Sequence, residues 1–383
     1  MSNRIISALL LFLFLQGCSS SKKIGNLNQS NSISQLQFLG EYDIPNSLPF
    51  KGTIVGGLSG IDYDADKNVY YLISDDPSSK GPTRFYTAQI HLSEKGIDSV
   101  PILEVTALLN PQGEPYADIT KDRIHSADVE AMRYDKTRDE LIWASEGQRF
   151  MNAQTMVLQD PSIVIMNRNG RYKDSFELPA NMHTQAEEKG PRHNGVFEGV
   201  SFDKNYRNVY VSVEDVIYED GPRAGIGDST AWIRILKFDR ATKKQSAQYA
   251  YKIDPVPYPP NPPGAFRING VSDILYLGEN KFMVIERAFS TGRQSSAIRV
   301  YLADISNAED ISSVNSLFQN PPQKPIKKRL LLNMDNLNRF IDNIEGVTFG
   351  PVFPNGHHSL IFVADDNFSK TQKTQFLLFE VIP

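Results

Sequence analysis

The sequence predicts an all-β chain folded as a β-propeller of five four-stranded blades, with six as the alternative count, and three observations support it. First, a strand-turn-strand unit recurs five times: GGLSGIDYDADKNVYYLISDD from Gly56, DVEAMRYDKTRDELIWASEG from Asp128, FEGVSFDKNYRNVYVSVED from Phe197, GVSDILYLGENKFMVIER from Gly270 and NIEGVTFGPVFPNGHHSLIFVADD from Asn343. The first polar positions of these units, Ser59, Glu130, Glu198, Ser272 and Glu345, lie 71, 68, 74 and 73 residues apart, which is the regularity of a repeat architecture. Second, each of the first four units is followed by two more runs of β-branched and aromatic residues bounded by turn chemistry. Third, the last unit has only TQFLLFEVI after it, while QLQFLGEYDIP, from Gln35 to Pro45, stands unpartnered ahead of the first. Lending that strand to the last blade closes the ring and removes the open edges.

Residues 1–17 read as a lipoprotein signal peptide. Arg4 precedes the apolar run IISALLLFLFL, which is too short to span a bilayer and suits a secretory h-region. Leu15-Gln16-Gly17-Cys18 resembles the lipobox of bacterial lipoproteins. The resemblance implies cleavage before Cys18, diacylation of its sulfur and a lipid-anchored protein of the bacterial cell envelope; Ser19 behind the cysteine favours the outer membrane. Cys18 is the only cysteine, which leaves no intramolecular disulfide and no thiolate for chemistry. Residues 18–34, rich in serine and lysine at their start, read as a flexible tether, and 35–383 as the propeller domain. The outer strands of the blades are TRFYTAQIHL and SVPILEVTALL, SIVIMNRNG and YKDSFELP, WIRILKFDR and QSAQYAYKI, then AIRVYLADI and KKRLLLNMD.

Strand direction locates the chemistry. In an antiparallel hairpin the start of the first strand and the end of the second share one edge. Ser59 and Asp75, Glu130 and Glu146, and Glu198 and Glu214 are each 16 residues apart; Ser272 to Glu286 is 14 and Glu345 to Asp365 is 20. With the first strand innermost, all these positions converge on one mouth of the central channel. The connections on that side are long (111–127, 182–196, 216–231 and 255–269), as expected where binding residues sit on a rigid scaffold.

Converging carboxylates repel one another unless protonated or neutralised. Calcium is the neutraliser that suits them, since it takes six to eight oxygen ligands and tolerates irregular geometry. The candidate metal ligands are Glu130, Glu146, Glu198, Glu214, Glu345 and Asp365, with any ion off centre toward Glu130, Glu198 and Glu345. In the alternative reading the same acids accept backbone hydrogen bonds and simply lock the ring. Arg84, Arg149, Arg192 and Arg287 fall on or near the acidic side, and guanidinium forks match phosphate oxygens, so these four are the candidate substrate-binding residues. Arg287 follows Glu286 on a strand, so the two side chains point to opposite faces and Arg287 pairs with a neighbouring blade. Glu198 and the loop residue His193 are the candidate catalytic groups; His125 lies in the preceding interblade loop, and His357-His358 sit at the far tip.

Other classes are excluded. A formal charge of −5 gives no basic field for nucleic acid. Gly57-Leu58-Ser59-Gly60 enters a strand, where a serine nucleophile elbow needs a strand-turn-helix. No phosphate-cradling glycine loop is present. The proline run PVPYPPNPPG from Pro255 reads as a stiff wall segment.

Ser59-Gly60-Ile61-Asp62, Arg84-Phe85-Tyr86, Asp128-Val129-Glu130, RHNGVFEG from Arg192, Glu286-Arg287 and Asn343-Ile344-Glu345-Gly346 together resemble the phytase-like domain family, described by esterase-like activity of phytase. Ala131 stands where that family more often has glycine after the acid. The resemblance implies a secreted or envelope-anchored propeller acting on phosphoric esters. The expected function is therefore calcium-assisted hydrolysis of a phosphate ester or other small anionic substrate by a monomer held at a membrane through Cys18. The alternative is a non-catalytic propeller that binds a ligand or a protein at the same mouth.

Overall fold

The computed structural model describes residues 33–227 and 229–383, so the expected signal peptide, Cys18 and nearly all of the tether lie outside the described residues. Five antiparallel four-stranded sheets form a five-bladed propeller. From the axis outward, the first blade is Leu58–Asp64, Val69–Ser74, Arg84–Ala88 and Ile102–Ala107. The second is Val129–Asp135, Glu140–Ser145, Ser162–Asn167 and Tyr172–Ser175. The third is Phe197–Phe202, Asn208–Val213, Trp232–Asp239 and Gln245–Lys252. The fourth is Arg267–Gly278, Lys281–Ser290, Ala297–Asp304 and Lys327–Asn333. Asn343–Val352, His358–Asp365 and Thr374–Ile382 make the fifth, which Gln35–Ile44 completes by pairing antiparallel with the last of them. Packing begins slightly before the expected boundary: Ile33 is buried, and the Ser34 backbone N–H donates to the Ile382 carbonyl at 2.9 Å.

Successive innermost strands pack side by side around the axis, and the fifth returns to the first. A hydrophobic cluster fills each gap between neighbours. Tyr71, Phe85, Met132 and Trp143 join the first and second blades, for example, and Ile61, Leu72, Phe376 and Leu378 join the fifth to the first. A fully buried side chain of this kind contributes about 1.5–3 kcal/mol, so ring closure rests mainly on these interblade contacts. It also explains the near-continuous apolar runs of the second strands, since a strand buried on both faces has no polar side to alternate with.

Sequence reasoning missed three small hairpins: Leu48–Phe50 with Thr53–Val55, His91–Ser93 with Gly96–Ser99, and Gln148–Met151 with Met156–Gln159. The run TRFYTAQIHL is consequently not one strand, because pairing stops at Ala88 and the chain turns into the second of these hairpins.

Every innermost strand carries a β-bulge at the same place. Leu58 faces Ser74 and Gly60 faces Ile73, leaving Ser59 unpaired; Glu130, Glu198, Ser272 and Glu345 are skipped in the same way. The five polar positions of the repeat are thus the five bulge residues. A bulge bends its strand and re-aims the extra side chain. In the two serine blades that side chain staples the next blade, Ser59 Oγ donating to the Val129 carbonyl at 3.3 Å and Ser272 Oγ to the Ile344 carbonyl at 3.0 Å. Three residues past the second bulge, buried Arg133 crosses the axis. Its guanidinium donates to the carbonyls of Ile61 and Val200 and to the Asp273 carboxylate, which also accepts the Val347 N–H, so one ion pair touches all five blades.

Candidate functional site

A cavity of about 700 Å³ opens where the hairpins begin and end, with Asp75, Asp128, Glu130, Glu198 and Glu345 on its walls. Glu146 and Glu214 add to this set: one oxygen each from Asp75, Glu130 and Glu345, from Asp128, Glu130 and Glu146, and from Glu146, Glu198 and Glu214 lie within 4.8 Å of one another. Glu130 and Glu146 each belong to two of these groups, so the oxygens form a continuous belt. Asp365 adjoins it through Asn343, whose amide lies 2.7 Å from Glu345 Oε1 and 3.5 Å from Asp365 Oδ2.

Few donors serve the belt. Glu146 accepts the Val196 N–H at 2.7 Å, Asp128 accepts from the Gln148 amide at 3.0 Å, and Asp365 accepts the Asn367 N–H at 2.8 Å. Among the described residues nothing donates a hydrogen bond to the side chains of Asp75, Glu130 or Glu198. Glu345 is only 6% exposed, yet its Oε2 has no partner. Two charges about 5 Å apart cost roughly 3 kcal/mol at an effective dielectric of about 20. Several such pairs together exceed the 5–15 kcal/mol by which a whole domain is stable. The belt must therefore hold protons or cations. Burial, then the neighbouring acids, drives Asp75, Glu130, Glu198 and Asp365 well above the usual carboxylate range, and burial pushes Asp128 up to about 6 and Glu214 up to about 7.

The fourth blade departs from the expected pattern. Val271, just before the bulge, faces Glu286, so the place held elsewhere by Asp75, Glu146, Glu214 and Asp365 belongs to Arg287. Glu286 points away and does not reach the mouth; it accepts from Tyr251 Oη at 2.8 Å, from the Asn269 amide at 2.8 Å and from Lys328 Nζ at 2.5 Å. Arg287 sits inside the acidic belt, 2.9 Å from Glu214, 3.5 Å from Glu345 and 2.8 Å from Asn343 Oδ1. These contacts lie on the two neighbouring blades.

The sequence profile of the Phytase-like family, described as esterase-like activity of phytase, matches residues 53–368. The chain belongs to that family. No curated protein matches it. Among solved structures, the endo-arabinase of Bacteroides thetaiotaomicron is 12% identical at a TM-score of 0.44, over 89% of this chain and 98% of the other. An endo-1,4-β-xylanase of the same organism is 8% identical at 0.45, over 84% and 90%. Hydrazine synthase of Kuenenia stuttgartiensis is 10% identical at 0.35, over 83% and 81%. At these values the likenesses carry nothing about what the present chain acts on.

In this phytase-like propeller only Arg287 of the four candidate arginines lines the cavity. Arg84 is fully buried, with its guanidinium on Asp76 at 2.7 Å, Tyr86 Oη at 2.6 Å and the Ile54 carbonyl at 3.0 Å. Arg149 donates to the carbonyls of Gln185 and Ala186 and lies over the Tyr218 ring. Arg192 covers that ring from 4.3 Å and donates to the carbonyls of Val216 and Gly221. These three clip loops together, which guanidinium groups near long connections do as readily as they bind phosphate. His193 is exposed and is not part of the cavity wall, whereas the next residue, Asn194, is. Asn194 is the cavity's one contribution from the long interblade loops; the rim comes instead from the connections after the second strands of the first and fifth blades, at 75–80 and 367–372, and from the end of the fourth blade's second strand with the turn after it, at 289–296. Lys80, Phe289 and Phe368 enter the site this way, with no sequence pattern to announce them. Asp75 and Asp128 are absent from the expected ligands, although the 16-residue spacing of Asp75 from Ser59 and the place of Asp128 two residues before Glu130 are signals that point to them.

Proposed function

We propose that the acidic cavity binds divalent cations, calcium by the chemistry of its donors, and hydrolyses a phosphoric ester beside them. The supporting observation is the belt of seven carboxylates with one guanidinium among them and a buried, unpartnered oxygen on Glu345. Every donor is oxygen, which suits a hard cation and not zinc or copper. Asp75, Asp128, Glu130, Glu146, Glu198, Glu214 and Glu345 would hold the ions. When bound, such a cation supplies Lewis acidity toward a phosphoryl oxygen and cancels charge in the belt. Arg287, whose buried Nε has no partner, orients the phosphoryl group and stabilises charge that develops on it. Burial and the neighbouring acids raise Glu198 in the cation-free belt; with cations offsetting those neighbours it would be ionised, and as the carboxylate it takes a proton from the attacking water. The water oxygen bonds to phosphorus, the ester P–O bond breaks, and the leaving oxygen departs with a proton as the alcohol beside inorganic phosphate. Lys80, exposed at the rim without an ion pair among the described residues, draws the anion in.

On this reading the domain works on the bacterial envelope, tethered by lipidated Cys18, with the outer membrane as its site. Cys18→Ser should move the protein from the membrane pellet to the soluble fraction; retention in the pellet speaks against the anchor. For the catalytic reading, calorimetric calcium titration is combined with phosphate release from a panel of esters. Calcium binding with calcium-dependent release, abolished in Glu198→Ala, is the expected result. Binding without release would leave a non-catalytic ligand-binding propeller, and neither would leave the acids a structural lock.

A further inference from the structure

We propose that the ligand is a sugar monophosphate, a polyhydroxylated ring carrying a single phosphoryl group; this rests on the hydrolase reading above and names its substrate class. Charge limits the phosphoryl count. Lys80 and Arg287 are the only cationic side chains among the residues lining the cavity, against seven carboxyl groups, Arg287 is already shared between Glu214 and Glu345, and divalent cations held in the belt would be taken up in offsetting its own carboxylates. One phosphoryl group finds a guanidinium within the belt. A polyol phosphorylated on every carbon would bring its remaining phosphates against carboxylates and neutral amides.

The rest of the wall is built for hydroxyl groups. Asn194, Gln294, Ser296 and Asn367 line the cavity, and among the described residues none of their side chains makes a hydrogen bond. Amides and hydroxyls both donate and accept, as sugar hydroxyls do, and these four groups around one cavity can exchange water for such partners. Two aromatic rings stand among them. Phe289 lies two residues beyond Arg287 on the same strand and hence on the same face, is 39% exposed, and is braced by Phe266 at a centroid distance of 6.2 Å. Phe368 lines the cavity from the neighbouring fifth blade, its backbone N–H held by Asp366 Oδ1 at 3.0 Å. Aromatic faces beside hydrogen-bonding side chains give a sugar ring an apolar platform for its C–H face and partners for its edge, while the Arg287 end receives the phosphate.

The test measures phosphate release by the full chain with calcium from glucose 6-phosphate, glycerol 2-phosphate and myo-inositol hexakisphosphate. Glucose 6-phosphate should exceed both others in kcat/KM by at least about tenfold. Phe289→Ala and Gln294→Ala should each lower the preference for glucose 6-phosphate over glycerol 2-phosphate by about fivefold or more, through KM. Equal or faster turnover of the hexakisphosphate, or no preference over glycerol 2-phosphate, overturns the sugar-monophosphate proposal and leaves the hydrolase reading standing. If no ester is cleaved, the hydrolase reading fails and calorimetry decides the ligand class by itself. Glucose 6-phosphate binding to the calcium-loaded chain, weakened about fivefold or more by Phe289→Ala, upholds it; absence of binding overturns it.

Discussion

Arg287 occupies the hairpin position where the four other blades carry a carboxylate, and its guanidinium lies between Glu214 of the third blade and Glu345 of the fifth. Removing one partner of a buried pair leaves the other charge uncompensated, at a cost of about 3–5 kcal/mol. Arg287→Met should therefore lower stability by that order at pH 8 in urea unfolding without calcium. It should cost clearly less at pH 5, where Glu214, pushed up to about 7, carries a proton; an equal loss at both pH values would argue against a charge role. Glu345→Gln tests the opposite side. Its Oε2 accepts nothing in the folded chain, so an amide there removes a like charge and a cation ligand together. The metal-free protein should gain about 1 kcal/mol or less while calcium affinity falls about tenfold or more by calorimetry. Residue identity was legible in the sequence, as was the opposite aim of Glu286 and Arg287 and the pairing of Arg287 with neighbouring blades; which of the two faces the mouth was not. Glu286 and Arg287 differ by one place on a strand, and that place decides which enters the belt. Arg84, Arg149 and Arg192 show the same limit: their positions near the mouth follow from topology, but the carbonyls and carboxylate that consume their N–H groups come from folded loops.

The repeated hairpin is the element that builds the site, and much of it was readable. Strand order, the shared edge of the polar positions and the closing role of Gln35–Ile44 follow from period, direction and the unpaired last blade. The bulge did not, because it adds a residue of ordinary type and is visible only once two strands are paired. Its consequence is that Glu130, Glu198 and Glu345 leave the pleat and reach the cavity wall. The approach to the first bulge depends on a left-handed residue. Gly57 has φ +60°, and a Cβ there would stand 2.2 Å from Asp75 Oδ1 and 2.6 Å from the Phe368 ring. Gly57→Ala should displace Asp75 and Phe368 together, destabilise the domain by about 1–3 kcal/mol in denaturant titration and weaken calcium binding. A variant as stable as the parent, with calcium affinity intact, would show that the loop absorbs the change.

Across the whole molecule the belt makes stability a function of proton and cation supply. Burial raises Asp128 from an ordinary value of 3.8 to about 6 and Glu214 from 4.5 to about 7. The folded chain therefore holds these protons more tightly than the unfolded chain. Their contribution is fully present below the unfolded values and is lost as pH rises, through about 6 for Asp128 and about 7 for Glu214. Burial also drives Asp75, Glu130, Glu146 and Glu198 well above their usual range, so they add to the loss in the same direction. Each raised unit is worth about 1.4 kcal/mol, so Asp128 or Glu214 alone amounts to a few kcal/mol, a visible part of a domain's stability. In chelator, Tm should fall steadily from pH 5 to pH 8, where an ordinary acidic protein holds level. If calcium binds as proposed it reverses the balance, because bound cations would replace the protons and favour the ionised belt, so with calcium Tm should stay level or rise over the same interval. A chelated protein whose Tm is flat or rises from pH 5 to pH 8 would mean that the carboxylates are compensated within the fold and that the cavity has no call on a cation.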